Sequence, residues 1–300
     1  MTKKTILILG VSSFIGSSLA EYLKKNYRVV GTYFNHAVEI EDVLSIRCDI
    51  HNEAHIKKWI GFFKPDFTIY AAGLFDLKRA HDNPKLSDHL NTSAIFNISR
   101  ATELYRSRLI YLSSSFIFSG DEGVIEEDEA PKPITIYGNS VASAEFYIQK
   151  SCLNYLIFRM GAIFGRGINP DKMNILEKLE FASLKKIELR CDDKIKTNFA
   201  STTDLAASIE EAIEHNLINQ VVHIGSQDIM SQLEFAQLYK ELRGGSFKIE
   251  EADFELPLIH TKNIPEKLFF NLRVRNSDYS IRESLKKFLN LEKKANLKLI

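Results

Sequence analysis

Three hundred residues exceed one ordinary hydrophobic core, so the chain should form one large domain with a lobe, or two domains. Hydrophobic residues make up 45% and charged residues 26%, the balance of a soluble globular protein. Lys plus Arg and Asp plus Glu both number 39, so no net field draws the chain to nucleic acid or to an anionic membrane, and neither is expected as a partner.

The first element is "TILILG", a continuous apolar run ending in glycine, which reads as a strand buried on both faces. "SSFIGSSLAEYLKK" follows with Phe14, Ile15, Leu19, Tyr22 and Leu23 at helical spacing, and "YRVVGTYF" is a second strand. Such a βαβ unit is almost always right-handed. The alternation continues with a strand at "VLSIRCDI", a helix at "NEAHIKKWIGFF" and a strand at "DFTIYAAG". A long helix at "PKLSDHLNTSAIFNISRATELY" and a strand at "RLIYLSSSFIFSG" come next. A helix then runs from near Tyr137 to about Lys150, followed by a strand at "LNYLIFRMGAIFG". Beyond Gly165 the rhythm weakens to a helix and a short strand in "RGINPDKMNILEKLEFASLKKIELR". "TTDLAASIEEAIEHN" is a clear helix with Thr202 or Thr203 as its expected cap, and "QVVHIGS" is a strand. The last stretch mixes helices with proline-punctuated pieces and ends in an amphipathic basic tail, "LKKFLNLEKKANLKLI", read as a docked or frayed helix. Alternating strands and helices predict an α/β protein with a doubly wound parallel sheet.

Cys48, Cys152 and Cys191 are far apart and form no CxxC pair, and the eight histidines form no HExxH, so reduced thiols and no metal site are expected. The opening apolar run is too short for a signal peptide and no later one reaches about 18 residues, which makes the cytoplasm the expected location.

"GVSSFIG" sets Gly10 and Gly16 between a strand and a helix. In a dinucleotide-binding turn the first glycine makes the tight bend, a middle one admits the pyrophosphate, and the last lets helix and strand pack, with phosphate at the helix N-terminus. Here the middle position is Ser13, whose hydroxyl could donate to a phosphate or cap the helix. After the second strand the run "GTYFNHA" offers neither an acid for a ribose 2′-hydroxyl nor a nearby Arg for a 2′-phosphate, so NAD and NADP are not distinguished.

Landmarks then fall in one order: "GVSSFIG", "CDI" at 48–50, "AAG" at 71–73, Asn91, "LSSSFIFSG" at 112–120, "YGNSVASAE" at 137–145, "RMGAIFG" at 159–165 and "FASTTDLAASI" at 199–209. Together they resemble an extended short-chain dehydrogenase/reductase, over roughly residues 5–290. The resemblance is to the dTDP-4-dehydrorhamnose reductase (RmlD-like) group, whose Ser-Thr-Asp-Tyr-Val-Phe-Asp-Gly pattern stands where this chain has "SSSFIFSG". It implies a Rossmann domain over 1–164 plus about 199–225, and a smaller α/β substrate lobe over about 165–198 and 226–300. It implies NAD or NADP along the C-terminal sheet edge and a nucleotide sugar in the cleft. By that resemblance Gly10, Ser12, Ser13, Phe14, Ile15 and Gly16 would wrap the pyrophosphate, and Asp49 and Ile50 would meet the adenine. Ala71, Ala72 and Gly73 would line the cofactor, while Ser114 and Tyr137 would match the catalytic Ser/Thr and Tyr. Asn91 matches a helix asparagine that is structural or part of a proton relay. Against these stand plainer readings: Asp49 as a helix cap, Asp204 as a helix support, Arg159 as a structural ion-pair partner, and Arg273 and Arg275 as surface charge rather than a diphosphate site.

The family's lysine, four residues after the tyrosine, is replaced by Val141. A lysine one helical turn on holds the nicotinamide ribose and lowers the tyrosine pKa. Lowering that pKa by ~2–3 is worth about 3–4 kcal/mol, or roughly a hundred- to a thousandfold in rate. Ser115 likewise stands where the group has a carboxylate. The resemblance therefore implies an NAD(P)-binding protein of nucleotide-sugar metabolism whose Tyr-Lys chemistry is impaired or absent. A binding or regulatory role is one expectation, since the regulatory subunit of methionine adenosyltransferase resembles the same group. An active 4-ketoreductase or epimerase using Tyr137 and Ser114 without the lysine is the other, and a homodimer or a protein partner is compatible with both.

Overall fold

The structure is a computed structural model that describes residues 3–121, 123–168, 173–252, 256–259, 266–275 and 279–297, with residues 291–297 as backbone only. In chain order the elements begin β1 (Thr5–Leu9), α1 (Phe14–Leu23), β2 (Arg28–Tyr33), β3 (Leu44–Arg47), α2 (Glu53–Phe63) and β4 (Phe67–Tyr70). Then come α3 (Leu77–Asp82), α4 (Pro84–Asp88), a π-helical turn (His89–Ser93), α5 (Ala94–Tyr105), β5 (Arg108–Ser114) and a 3₁₀ turn (Ser115–Ile117). They continue with β6 (Val124–Ile125), α6 (Ile136–Ser151), β7 (Tyr155–Met160), β8 (Ala162–Phe164), α7 (Ile175–Lys185), β9 (Leu189–Cys191) and β10 (Ile195–Ser201). The last are α8 (Thr202–Glu214), β11 (Gln220–Ile224), β12 (Ile229–Met230), α9 (Gln232–Arg243), β13 (Ile249–Glu251), β14 (Leu268–Leu272) and α10 (Ile281–Leu297).

Seven strands form one parallel sheet in the order β11-β7-β5-β4-β1-β2-β3. The apolar runs expected from the sequence are its centre: β1, β4 and β5 are buried along their whole length. One face packs Ile56 and Ile60 of α2, Ile95 and Ile98 of α5, and Ala144 and Ile148 of α6. The other packs Leu19 and Leu23 of α1 against Leu205, Ile209 and Ile213 of α8. Each such Leu or Ile contributes roughly 1.5–3 kcal/mol by leaving water. The sheet is thus doubly wound: the chain runs outward from β1 to β2 and β3, then crosses back to the other side of β1 at β4. That reversal opens a crevice at the C-terminal ends of β1 and β4.

A second sheet runs β12-β10-β14-β6 with β8 beside β10, and a two-stranded sheet pairs β13 with β9. Phe164, Leu176, Phe199, Phe235, Tyr239 and Phe288 form a third apolar cluster beneath α7, α9 and α10. Leu285, Phe288 and Leu289 are buried, so the terminal helix is docked over residues 281–290. Among the described residues no helix is long and apolar enough to cross a membrane.

Four elements differ from the sequence reading. The helix expected over 84–105 carries a π turn at 89–93. The strand expected over 108–120 stops at Ser114 and becomes a 3₁₀ turn. The strand expected over 153–165 divides at Gly161, where a Cβ would lie 2.2 Å from the Asn198 carbonyl oxygen. The cap of α8 is Ser201 rather than a threonine; its hydroxyl accepts the Asp204 N–H at 3.0 Å, and Asp204 answers in a capping box. Residues 169–172, within the stretch read as entering α7, lie outside the described residues.

Candidate active site

The glycine turn is built by close approach. Gly10 has φ +98°, and a Cβ there would sit 2.7 Å from the Ala72 side chain. The Gly10 and Val11 amides both donate to the Thr32 carbonyl, at 3.1 and 2.7 Å, which pins the turn beside β2. Ser13, at φ −76°, caps α1 by accepting the Gly16 amide at 3.0 Å, so of its two expected roles the helix cap is filled. Ser12, Phe14 and Ile15 present amides that meet no acceptor among the described residues. They are free donors at a helix N-terminus, which suits an anion. The β8–α7 connection closes on this end, with the Ser18 hydroxyl donating to the Arg166 carbonyl at 2.7 Å.

Along the same sheet edge stand Asp49 and Ile50 after β3, and Ala71, Ala72 and Gly73 after β4. Asp49 does not cap α2; Asn52 does, accepting the Ala54 amide at 3.0 Å. The Asp49 carboxylate instead accepts the His51 amide at 3.0 Å. The His51 ring stacks on His89 of the π turn, centroids 3.6 Å apart, a pairing the sequence reading did not single out. Burial, reinforced by His89 and opposed by Asp49, lowers the His51 pKa. Asn91, in the same turn, is fully engaged in structure. Its Oδ1 accepts the Leu74 amide at 2.8 Å, and its Nδ2 donates to the Leu74 carbonyl at 3.1 Å and the Ser140 hydroxyl at 3.0 Å.

Ser114 ends β5 and Tyr137 opens α6. Thr135 caps that helix through the Gly138 amide at 2.9 Å. Gly138 allows the approach, since a Cβ there would be 1.9 Å from the Phe116 carbonyl oxygen. The Ser114 hydroxyl lies close enough to the Tyr137 hydroxyl to act on its pKa. The Tyr137 ring is buried, with Phe75 at 6.4 Å and Phe116 at 6.1 Å in edge geometry, two aromatic walls that sequence reasoning missed. Burial pushes the Tyr137 pKa up to about 12, the Ser114 hydrogen bond opposes that rise, and no cation contributes.

Val141 lies one turn on, 2% exposed, in the apolar cluster that holds Tyr137, Tyr111 and Leu74. Glu145, a further turn along, is also buried; it accepts from the Ser113 hydroxyl and pairs with Arg159 at 2.8 Å. Arg159 also donates to the Glu127 carbonyl at 3.0 Å. The cation of this face is therefore spent on a carboxylate. Lys150 lies over the Phe146 ring. The Ser115 hydroxyl is buried and meets no partner among the described residues. Arg273 and Arg275 both pair with Glu126 at the surface, and Arg275 reaches Glu127 at 3.6 Å. Asp204 supports its helix and accepts the Ser284 hydroxyl at 2.6 Å. At the end of β2, the β3 register brings up Arg47, whose guanidinium lies over the Phe34 ring, although the "GTYFNHA" run itself holds no arginine.

A glycine turn at the first crossover of a parallel sheet, with a Ser–Tyr pair over the neighbouring strand ends, is the layout of an extended short-chain dehydrogenase/reductase. The chain belongs to the RmlD substrate binding domain family, whose model matches residues 4–267. Methionine adenosyltransferase 2 subunit beta of Xenopus laevis is 23% identical over 235 residues, 77% of this chain and 69% of that protein. A probable low-salt glycan biosynthesis reductase of Haloferax volcanii is 22% identical over 259 residues, 83% of this chain and 85% of that protein. In fold, the chain matches the dTDP-4-dehydrorhamnose reductase of Bacillus anthracis, solved with NADP, at TM-score 0.80, 20% identity, and 96% and 99% coverage of the two chains. It matches the UDP-glucose 4-epimerase of Thermotoga maritima, solved with UDP-glucose, at TM-score 0.77, 18% identity, and 97% and 99% coverage.

Proposed function

We propose that this protein is an NAD(P)-binding member of nucleotide-sugar metabolism in which tyrosine–lysine reductase chemistry is impaired, and that it serves mainly as a binding or regulatory protein. The observation that carries the reading is the Tyr137 environment: a buried hydroxyl with its pKa near 12, and Val141, itself buried, where a cation would be needed. Relatives whose names record a reductase and a subunit of another enzyme are compatible with a scaffold put to both uses.

The turn fits a dinucleotide. The free amides of Ser12, Phe14 and Ile15 would take the pyrophosphate, and Gly10 lets the turn pack directly on Ala72 at the end of the neighbouring strand. Asp49 and Ile50 would lie at the adenine, and Ala71 to Gly73 beneath the ribose. When bound, the nicotinamide supplies hydride transfer. The chain's own part would be a proton held at the Tyr137 hydroxyl and oriented by Ser114. At pH 7 a phenol of pKa near 12 stays protonated, so it can donate a hydrogen bond to a carbonyl but is a poor proton acceptor. In this reading the Rossmann part is 1–164 plus about 199–225, and the substrate lobe about 165–198 and 226–300.

The second reading, an active 4-ketoreductase or epimerase, is favoured by the Ser114 hydroxyl standing beside the Tyr137 hydroxyl, where it lowers the tyrosine pKa. Calorimetric titration with reduced and oxidised cofactors, followed by NAD(P)H oxidation assays over a panel of nucleotide 4-keto-sugars, separates the two. Binding without turnover is expected. Turnover at ordinary enzyme rates, about 1 per second or more, overturns the non-catalytic reading.

A further inference from the structure

The π turn at 89–93 is fastened by bonds from outside its own helix. The Tyr70 hydroxyl donates to the Leu90 carbonyl, Asn91 binds Leu74 and Ser140, and the Thr92 hydroxyl donates to the Ser140 carbonyl at 3.0 Å. These bonds tie it to β4 and its following loop, and to α6, the helix of Tyr137. On another side it meets the loop between β3 and α2. Among the described residues, the hydrogen bonds of Asp49 to Asn52 stay within residues 49–56. Ile50, buried in the apolar core, anchors that loop, and the stack of His51 on His89 joins it to the π turn.

The stack suits neutral rings. The centroids are 3.6 Å apart and the planes 16° from parallel, so the imidazoles lie face to face. Nδ1 of His51 is buried and meets no partner among the described residues, so a proton placed there would be an N–H without an acceptor. The charged groups on the elements that meet here do not offset two positive rings. Asp49 favours a charged His51, but burial and His89 outweigh it. Asp88, beside His89, accepts the Ser93 hydroxyl at 3.3 Å, and Glu53 is paired with Lys57 at 2.7 Å. His55 accepts the Asp49 amide at 3.4 Å, and Lys85, one turn before His89, adds positive charge.

We propose that the His51–His89 stack is a pH-operated latch: it closes the β3–α2 loop onto the π turn while the rings are neutral, and opens in mildly acid solution when both take a proton. An imidazole in water titrates near pH 6.5, and the open form binds protons that the closed stack refuses. Closure is therefore complete above about pH 6.5 and is lost as pH falls below it. The consequence for ligands rests on the proposed place of adenine at Asp49 and Ile50. If adenine lies there, apparent affinity falls in proportion to the fraction of closed loop.

The test is amide hydrogen exchange of the full chain at pH 7.5 and 5.5, corrected for intrinsic rates and referred to peptides from β1 and β4, which report global opening. Wild type should lose roughly tenfold in protection over residues 48–56 at the lower pH, beyond any change in the reference peptides. His89→Phe keeps a ring in the stack that takes no proton, and a charged His51 is attracted to an aromatic face, so its loop should stay protected at both pH values. His89→Ala removes the ring and should leave the loop exchanging fast at both. Equal wild-type protection at the two pH values, or a pH dependence that survives His89→Phe, overturns the latch. Titrations with NADH and NADPH at both pH values test the consequence separately. Weaker binding by wild type at pH 5.5, absent in His89→Phe, supports the latch and its link to the nucleotide. Loop opening with unchanged affinity supports the latch and overturns the adenine placement. If neither cofactor binds at either pH, the dinucleotide reading fails, while the exchange result still decides the latch.

Discussion

Glu145 of α6 holds Arg159 of β7 through two guanidinium nitrogens, Nη2 to Oε2 at 2.8 Å and Nε to Oε1 at 3.1 Å, and their side chains are 1% and 3% exposed. A buried pair of this kind gains little over a well-packed apolar pair but is costly to break from one side. Glu145→Ala should therefore destabilise the fold by about 3–5 kcal/mol, because Arg159 is left charged and buried. Glu145→Met with Arg159→Met should recover most of that loss. Urea unfolding of the three variants checks this; a single substitution within about 1 kcal/mol of wild type would show that water reaches the pair.

His223 on β11 is 1% exposed, and burial first, then the Arg159 charge, push its pKa down to about 3. The unfolded chain therefore binds a proton that the folded chain refuses. The associated stability is fully present above about pH 6.5 and is lost as pH falls toward 3, at up to about 1.4 kcal/mol per pH unit. Urea midpoints at about pH 7.5 and 5 should differ more for wild type than for His223→Phe, which has no proton to take up. Identical pH slopes in the two proteins would contradict this assignment.

The apolar runs of β1, β4 and β5 made the sheet legible, because strands buried on both faces have no polar alternation to confuse them. The Ser114 and Tyr137 positions were legible only through the family resemblance, since the strand read from the sequence ran on to Gly120, past its end at Ser114. The π turn was not, because its residues keep helical periodicity and the contacts made within it, the Asn91 bonds to Leu74, join residues distant in sequence. Phe75, Phe116 and Arg47 were missed because loop conformation or strand register, not spacing, brings them to the site.

Gly138 sets the depth of Tyr137. Within a helix, Gly→Ala ordinarily gains about 1 kcal/mol. Here the added Cβ would lie 1.9 Å from a backbone oxygen, a clash that neither chain can relieve by rotating a side chain. Sterics should win, so Gly138→Ala is expected to lose about 1–3 kcal/mol and to move the tyrosine away from Ser114. A lowered urea midpoint, with the Ser114→Ala substitution costing less in this background than in wild type, is the expected pattern.

Val141→Lys tests the central doubt about catalysis. The new ammonium would sit one turn from Tyr137, on the face that carries no free cation, since Arg159 is committed to Glu145. Its charge should draw the Tyr137 pKa down from about 12. It should also add a donor toward the ribose, and we expect NAD(P)H affinity to rise by roughly five- to tenfold. The site is apolar and closed, so a buried lysine without a carboxylate should lower thermal stability by several degrees in the absence of ligand. Added NAD(P)H should restore part of that loss by mass action. Calorimetry and thermal unfolding with and without NAD(P)H read both effects. Unchanged affinity would mean that the cleft has diverged beyond this one position, because the charge alone would then not suffice to rebuild the ribose contact.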